Sequence, residues 1–203
     1  MNTARLVALV GMTSLIVSGC NSTNSGNDTK NSTSPTTMAH PSIAISVSPA
    51  PQQRNNNGRP AVTFDPCTDL GDATIQKLGF DPTTRTRNDL IADTYTFLGC
   101  DFKEKNTEGS TTWTLGIKAT NIPLSEFQSR YSDTIQNFTA AGRQAMTYLL
   151  TKSSTADTCF VAMDSPAGVI NLQLDVDWTR TTGQPCERIR DIAEKLQPEL
   201  PKK

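Results

Sequence analysis

In residues 169–178, Val-Ile-Asn-Leu-Gln-Leu-Asp-Val-Asp-Trp, apolar and polar side chains alternate without a break from Ile170 onward. Successive side chains of a strand point to opposite faces, so Ile170, Leu172, Leu174, Val176 and Trp178 share one face, and Asn171, Gln173, Asp175 and Asp177 the other. A helix would scatter both sets around its circumference. The segment is therefore predicted as a long strand with one buried face, and it needs a sheet to lie in.

Other segments supply that sheet. In 111–118, Trp113, Leu115 and Ile117 alternate with Thr112, Thr114 and Gly116. In 95–105, Leu98, Cys100 and Phe102 fall on one face. Segments 145–151 and 158–163 read as a strand pair joined across Ser153-Ser154-Thr155-Ala156. Helices are expected at 68–78, where Leu70, Ile75 and Leu78 form a stripe closed by Gly79, and after Pro123, where Leu124, Phe127 and Tyr131 share a face. A last helix opens at Cys186, turns Ile189, Ala193 and Leu196 inward and stops at Pro198. Short links between strands predict an α+β domain: an antiparallel sheet of about five strands with helices packed mainly on one face. The polar faces of 111–118 and 169–178 are expected to meet solvent or a partner.

The start of the chain reads as an export and anchoring signal. Arg5 is followed by an apolar run over 6–17, too short to span a membrane, and by Leu15-Ile16-Val17-Ser18-Gly19-Cys20. This is the layout of a bacterial lipobox: small residues admit the peptidase, and the Cys20 thiol carries the diacylglycerol. Several acyl chains on Cys20 would hold the protein on the membrane far more firmly than one. Residues 1–19 are thus expected to be a lipoprotein signal peptide, and the domain to sit on the extracytoplasmic face of the cell membrane. Residues 20–58 form the lipidated end and a tether rich in Asn, Ser, Thr, Pro and Gln, too poor in apolar side chains to order itself. As a flexible coil its reach is on the order of 35–40 Å. Residues 59–203 form the domain.

Four cysteines follow Cys20, namely Cys67, Cys100, Cys159 and Cys186. An even number in an exported domain, with no C-x-x-C spacing, predicts two disulfides. Pairing Cys67–Cys100 with Cys159–Cys186 closes two local loops of about 30 residues and is favoured. Cys100–Cys159 with Cys67–Cys186 is the alternative.

Several function classes lose support. The chain's one histidine, His40, falls in the tether, so no histidine serves the domain as base or metal ligand. No Gly-x-Ser-x-Gly, Ser-x-x-Lys or glycine-rich phosphate loop occurs. No metal or other cofactor is expected, and a net charge of −1 without a basic stripe argues against nucleic acid. Asp175 and Asp177, about 7 Å apart on one strand face, could serve a calcium site or glycan hydrolysis, but a solvated face explains them. Arg85 and Arg87 are read as part of a solvated polar loop.

Phe64-Asp65-Pro66-Cys67 opening a helix, Leu98-Gly99-Cys100 ending the next strand and Pro185-Cys186 opening the last helix form, with the lipobox, a pattern. It resembles the actinobacterial lipoproteins grouped as DUF3558, a domain of unknown function. The resemblance covers roughly 58–196. Many members place tryptophan two residues after the second cysteine, where this chain has Phe102. Shorter members hold only the first two cysteines, which implies that Cys67 pairs with Cys100. The family carries no agreed activity. The resulting expectation is a non-enzymatic, membrane-anchored envelope lipoprotein that binds another envelope component, protein or wall. The alternative is a carrier of a lipid or small apolar ligand, in a candidate pocket lined by Trp113, Phe127, Tyr131 and Trp178.

Overall fold

The alternating segments form the middle of the sheet in the computed structural model, which describes residues 41–152 and 157–202. Cys20, residues 1–40 expected to form the signal peptide and start of the tether, and the link expected across 153–156 lie outside the described residues. The strands are β1 Asp81–Arg87, β2 Leu90–Ile91, β3 Thr96–Lys105, β4 Thr111–Thr120, β5 Gln136–Ala140, β6 Arg143–Tyr148, β7 Thr158–Ser165 and β8 Gly168–Val176. The helices are α1 Pro66–Asp69, α2 Asp72–Lys77, α3 Leu124–Arg130 and α4 Pro185–Leu196. The strands make one antiparallel sheet in the order β1-β3-β4-β8-β7-β6-β5, with β2 also paired to β3.

Register brings the apolar faces into rows. Cys100 on β3 lies opposite Ile117 on β4, which lies opposite Leu172 on β8. Leu115, Leu174 and Cys159 make the next row, and these side chains are essentially fully buried. Helices α1, α2 and α4 cover this first face. Two disulfides join helix starts to it. Cys67 of α1 bonds to Cys100 of β3, and Cys159 of β7 to Cys186 of α4, each with Cα atoms 5.1 Å apart. Asp65 closes the first of these junctions by accepting from the Cys67 amide at 3.0 Å, while Pro66 supplies the first helical residue.

The sheet has eight strands rather than about five, and the additional ones lie towards its edges. β1 carries Arg85 and Arg87 and is not a solvated loop. The Arg85 side chain is fully buried, donating to the Cys67 carbonyl (3.2 Å) and the Asp72 carboxylate (2.8 Å) above the Phe102 ring. Arg87 reaches Asp65 at 2.5 Å and Asp89 at 3.3 Å. The guanidinium charges at these strand positions meet carboxylates and a carbonyl that lie mostly outside the strand, which hydropathy cannot register. The helix expected over 68–78 is two helices, because Leu70 is extended and Gly71 starts α2. β8 ends at Val176, two residues before Trp178, where Asp177 accepts from the Thr179 amide (3.0 Å) and hydroxyl (2.5 Å) and turns the chain.

Residues 41–58, placed by composition in the tether, run as an arm against the domain. The Ser42 carbonyl accepts from the Asp72 amide (3.0 Å), and the Ala44 amide donates to the Asp72 carboxylate (2.7 Å). Gln53 exchanges two hydrogen bonds with the Val62 backbone. Asn56 is buried: its amide donates to the Ala92 carbonyl, and its oxygen accepts from Thr96 (2.7 Å) and Asn121 (2.9 Å). Polar side chains hold this arm through specific bonds, whereas a composition rule counts only the apolar area they lack.

Candidate functional site

The strands β6 and β7 are apolar on both faces near their middles, and β8 adds Val169 near its start. Met146, Tyr148, Phe160, Ala162 and Val169 turn away from the first core and make a second one with Leu124 and Phe127 of α3. A helix thus covers part of the opposite sheet face. Aromatic rings dominate the contact. Tyr131 stacks on Tyr148 with centroids 4.3 Å apart, and Tyr148 stacks on Phe160 at 5.1 Å. Phe127 meets Tyr148 edge-on at 5.8 Å. Burial, with Tyr131 alongside, pushes the Tyr148 hydroxyl far above the usual phenol range and keeps it neutral. That hydroxyl accepts from the Asn171 amide at 2.7 Å.

Beside this stack the sheet is uncovered, leaving a cleft of about 620 Å³, within the size range of small-molecule sites. Its floor includes Lys118, Asn171 and Gln173 from β4 and β8. One wall is α3, through Phe127, Arg130 and Tyr131; the other comes from Leu90, Tyr95 and Phe97. Leu150 and Arg59 complete the rim, and Arg59 pairs with Glu126 at 2.9 Å. Gly99 lets the Lys118 stem cross β3, since a Cβ there would come within 2.7 Å of Lys118 Cγ and 2.4 Å of the Asn88 carbonyl.

The four residues expected to line one pocket do not meet. Phe127 and Tyr131 border the cleft. Trp113 is buried on the first face beneath the Arg188 guanidinium, 4.5 Å from its ring, and a Cβ at Gly183 would lie within 2.8 Å of that indole. Trp178 is exposed at the turn after β8. Both tryptophans were placed by extending an alternation, which does not reveal what covers a face. Lys118, Arg130, Tyr148, Leu90 and Leu150 were not singled out from the sequence. One signal was present: the run Cys159-Phe160-Val161-Ala162-Met163 is apolar throughout, as a strand buried on both faces must be.

Asp175 and Asp177 do not act on a shared centre. Asp175 accepts from the Thr158 hydroxyl (2.5 Å) and the Gln173 amide (2.9 Å), while Asp177 belongs to its turn, where the Thr179 hydroxyl holds its carboxyl below the usual range. Among the described residues no group of three His, Cys, Asp or Glu side chains is placed to hold a metal ion.

Asp101, on the cleft side of β3, is partly buried. Burial raises its carboxyl above the usual range, with Asp175 adding to the effect and Asn88 and Lys118 opposing it. The folded chain therefore holds this proton more tightly than the unfolded one. The associated stability is full below the ordinary carboxylate value of about 3.9 and is lost as pH rises through the folded value. Asp101→Asn keeps an acceptor for the Asn88 amide, now at 2.8 Å. It is expected to flatten this decline and to leave the melting temperature at neutral pH at or above that of the wild type. Thermal melts across the acidic range check this, and an unchanged slope would contradict it.

A family model described as "Protein of unknown function (DUF3558)" matches residues 15–199, so the chain belongs to that family. No curated protein and no solved structure matches it.

Proposed function

We propose that this DUF3558 protein is a membrane-anchored, non-enzymatic lipoprotein of the cell envelope, held on the extracytoplasmic face through Cys20, and that its domain binds another envelope component. The observation that carries the binding reading is the aromatic-walled cleft beside α3 on the sheet face away from both disulfides. An open cleft of this size and depth fits a small ligand better than the flat surface that a protein partner would use. The candidate pocket is accordingly read with Phe127 and Tyr131 from the original set, without Trp113 and Trp178. The sequence features of the lipobox support the anchor, and among the described residues no helix is long and apolar enough to cross a membrane.

Cys20→Ala is expected to move the protein from the membrane fraction to the soluble envelope or medium. Continued sedimentation with membranes would remove the anchor assignment. A photo-reactive residue at Ser129, on the cleft side of α3, should capture a low-mass component in intact cells, and one at Glu187 on α4 should not. Capture of a protein from position 129 would favour a macromolecular partner instead.

A further inference from the structure

We infer that the cleft takes an anionic amphiphile, a ligand with an acyl-type apolar part and a negatively charged head; this rests on reading the cleft as the ligand site. Three observations converge. Among the described residues the exposed large hydrophobic side chains are Leu90 (51% exposed), Leu150 (55%) and Trp178 (41%). Leu90 and Leu150 both border the cleft, so apolar surface left in water is concentrated there. The charge at the cleft also runs against that of the chain. Arg59, Lys118 and Arg130 line it with one carboxylate, Glu126, in a protein of net charge −1. Arg59 is committed to Glu126; Lys118 attracts the Asp101 carboxylate on the neighbouring strand, but neither Lys118 nor Arg130 closes an ion pair among the described residues. Arg130 only lies against the Tyr131 ring, 5.8 Å from its centroid.

The third observation decides against a neutral polar ligand such as a sugar. Sugar hydroxyls need a fork of available amide and carboxylate groups beside an open ring face. Here the Asn171 amide donates to Tyr148 and to the Val161 carbonyl, the Gln173 amide is turned onto Asp175, and Glu126 is held by Arg59. Tyr148 and Phe160 are stacked and buried, so their faces are already covered. What remains is two cations, aliphatic and aromatic wall, and the hydroxyls of Thr94, Tyr95, Ser129 and Tyr131, which can serve a charged head but make no amide or carboxylate fork. A charged head placed between Lys118 and Arg130 would leave its chain to run along Phe97 and Tyr131 towards Leu90 and Leu150.

The test is binding of dodecyl phosphate, dodecanol and inorganic phosphate to the full chain carrying Cys20→Ser, which keeps the protein's own acyl groups out of the assay. Dodecyl phosphate should bind saturably, one per chain, and more weakly as salt rises. Dodecanol should bind about tenfold more weakly and without salt dependence, as expected for loss of a charge-assisted contact. Inorganic phosphate should not compete at equal concentration. Lys118→Gln with Arg130→Gln should reduce dodecyl phosphate to the dodecanol level, whereas Trp178→Ala, outside the cleft, should change nothing. Circular dichroism confirms that each variant is folded. Three results would overturn the inference: equal binding of the alcohol and the phosphate ester, tight binding of inorganic phosphate alone, or an equal loss in Trp178→Ala, which would mean surface adsorption. A cleft that rejects all three probes yet retains a neutral ligand from the envelope would end the inference while leaving the proposed function standing.

Discussion

Replacing Cys67 and Cys100 together by alanine is expected to lower the unfolding free energy by about 3.5–4 kcal/mol. The bond closes a loop of sequence separation 33, and in the chain-entropy treatment most of the effect is freedom returned to the unfolded chain. Both cysteines are fully buried, so no new solvent contact offsets the loss. The effect should be strong because α1 has only four residues and cannot hold itself together without its attachment to β3. Urea denaturation of wild type and variant checks this: the midpoint should fall and the slope rise, as the unfolded chain loses its cross-link and exposes more surface. A loss below about 1 kcal/mol would mean that α1 is held by packing alone.

Arg87→Met is the second large effect. Arg87 and Asp65 are 13% and 11% exposed at their side chains and 2.5 Å apart. Burial disfavours the guanidinium charge, but Asp65 and Asp89 outweigh it and hold Arg87 more firmly protonated than usual. Removing the arginine leaves the Asp65 carboxylate in a poorly hydrated site, at a cost of about 3–5 kcal/mol. The pair Arg87→Met with Asp65→Asn should recover most of it, because asparagine still caps α1 and carries no charge. Arg54→Ala removes the ion pair with Asp93, whose side chains are 61% and 82% exposed, and should cost at most about 1 kcal/mol. Equal losses for Arg87→Met and Arg54→Ala in chemical denaturation would contradict this ranking.

These two junctions also mark how far the sequence could be read. The strands with apolar alternation, β3, β4 and β8, were legible with their faces, as were α4 and its inward Ile189, Ala193 and Leu196. Their periodicity reports burial directly. β1 was not, because its inward arginines look like solvent-facing residues until Asp65, Asp72 and the Cys67 carbonyl are placed beside them. The same limit hid the arm, where Asn56 is buried by bonds to Thr96 and Asn121, 40 and 65 residues away. The site was half legible. Phe127 and Tyr131 sit one helical turn apart, so local spacing reveals their shared face. Lys118, Leu90 and Leu150 come together only through the order of the sheet, and no local pattern encodes that.

The most direct test of the ligand-binding claim is native mass spectrometry of the protein recovered from its own envelope, beside Ser129→Trp, which fills the cleft from α3. The wild type is expected to carry a stoichiometric low-mass adduct that the variant lacks. A bare wild type, or an adduct retained equally by both, would contradict a ligand in the cleft.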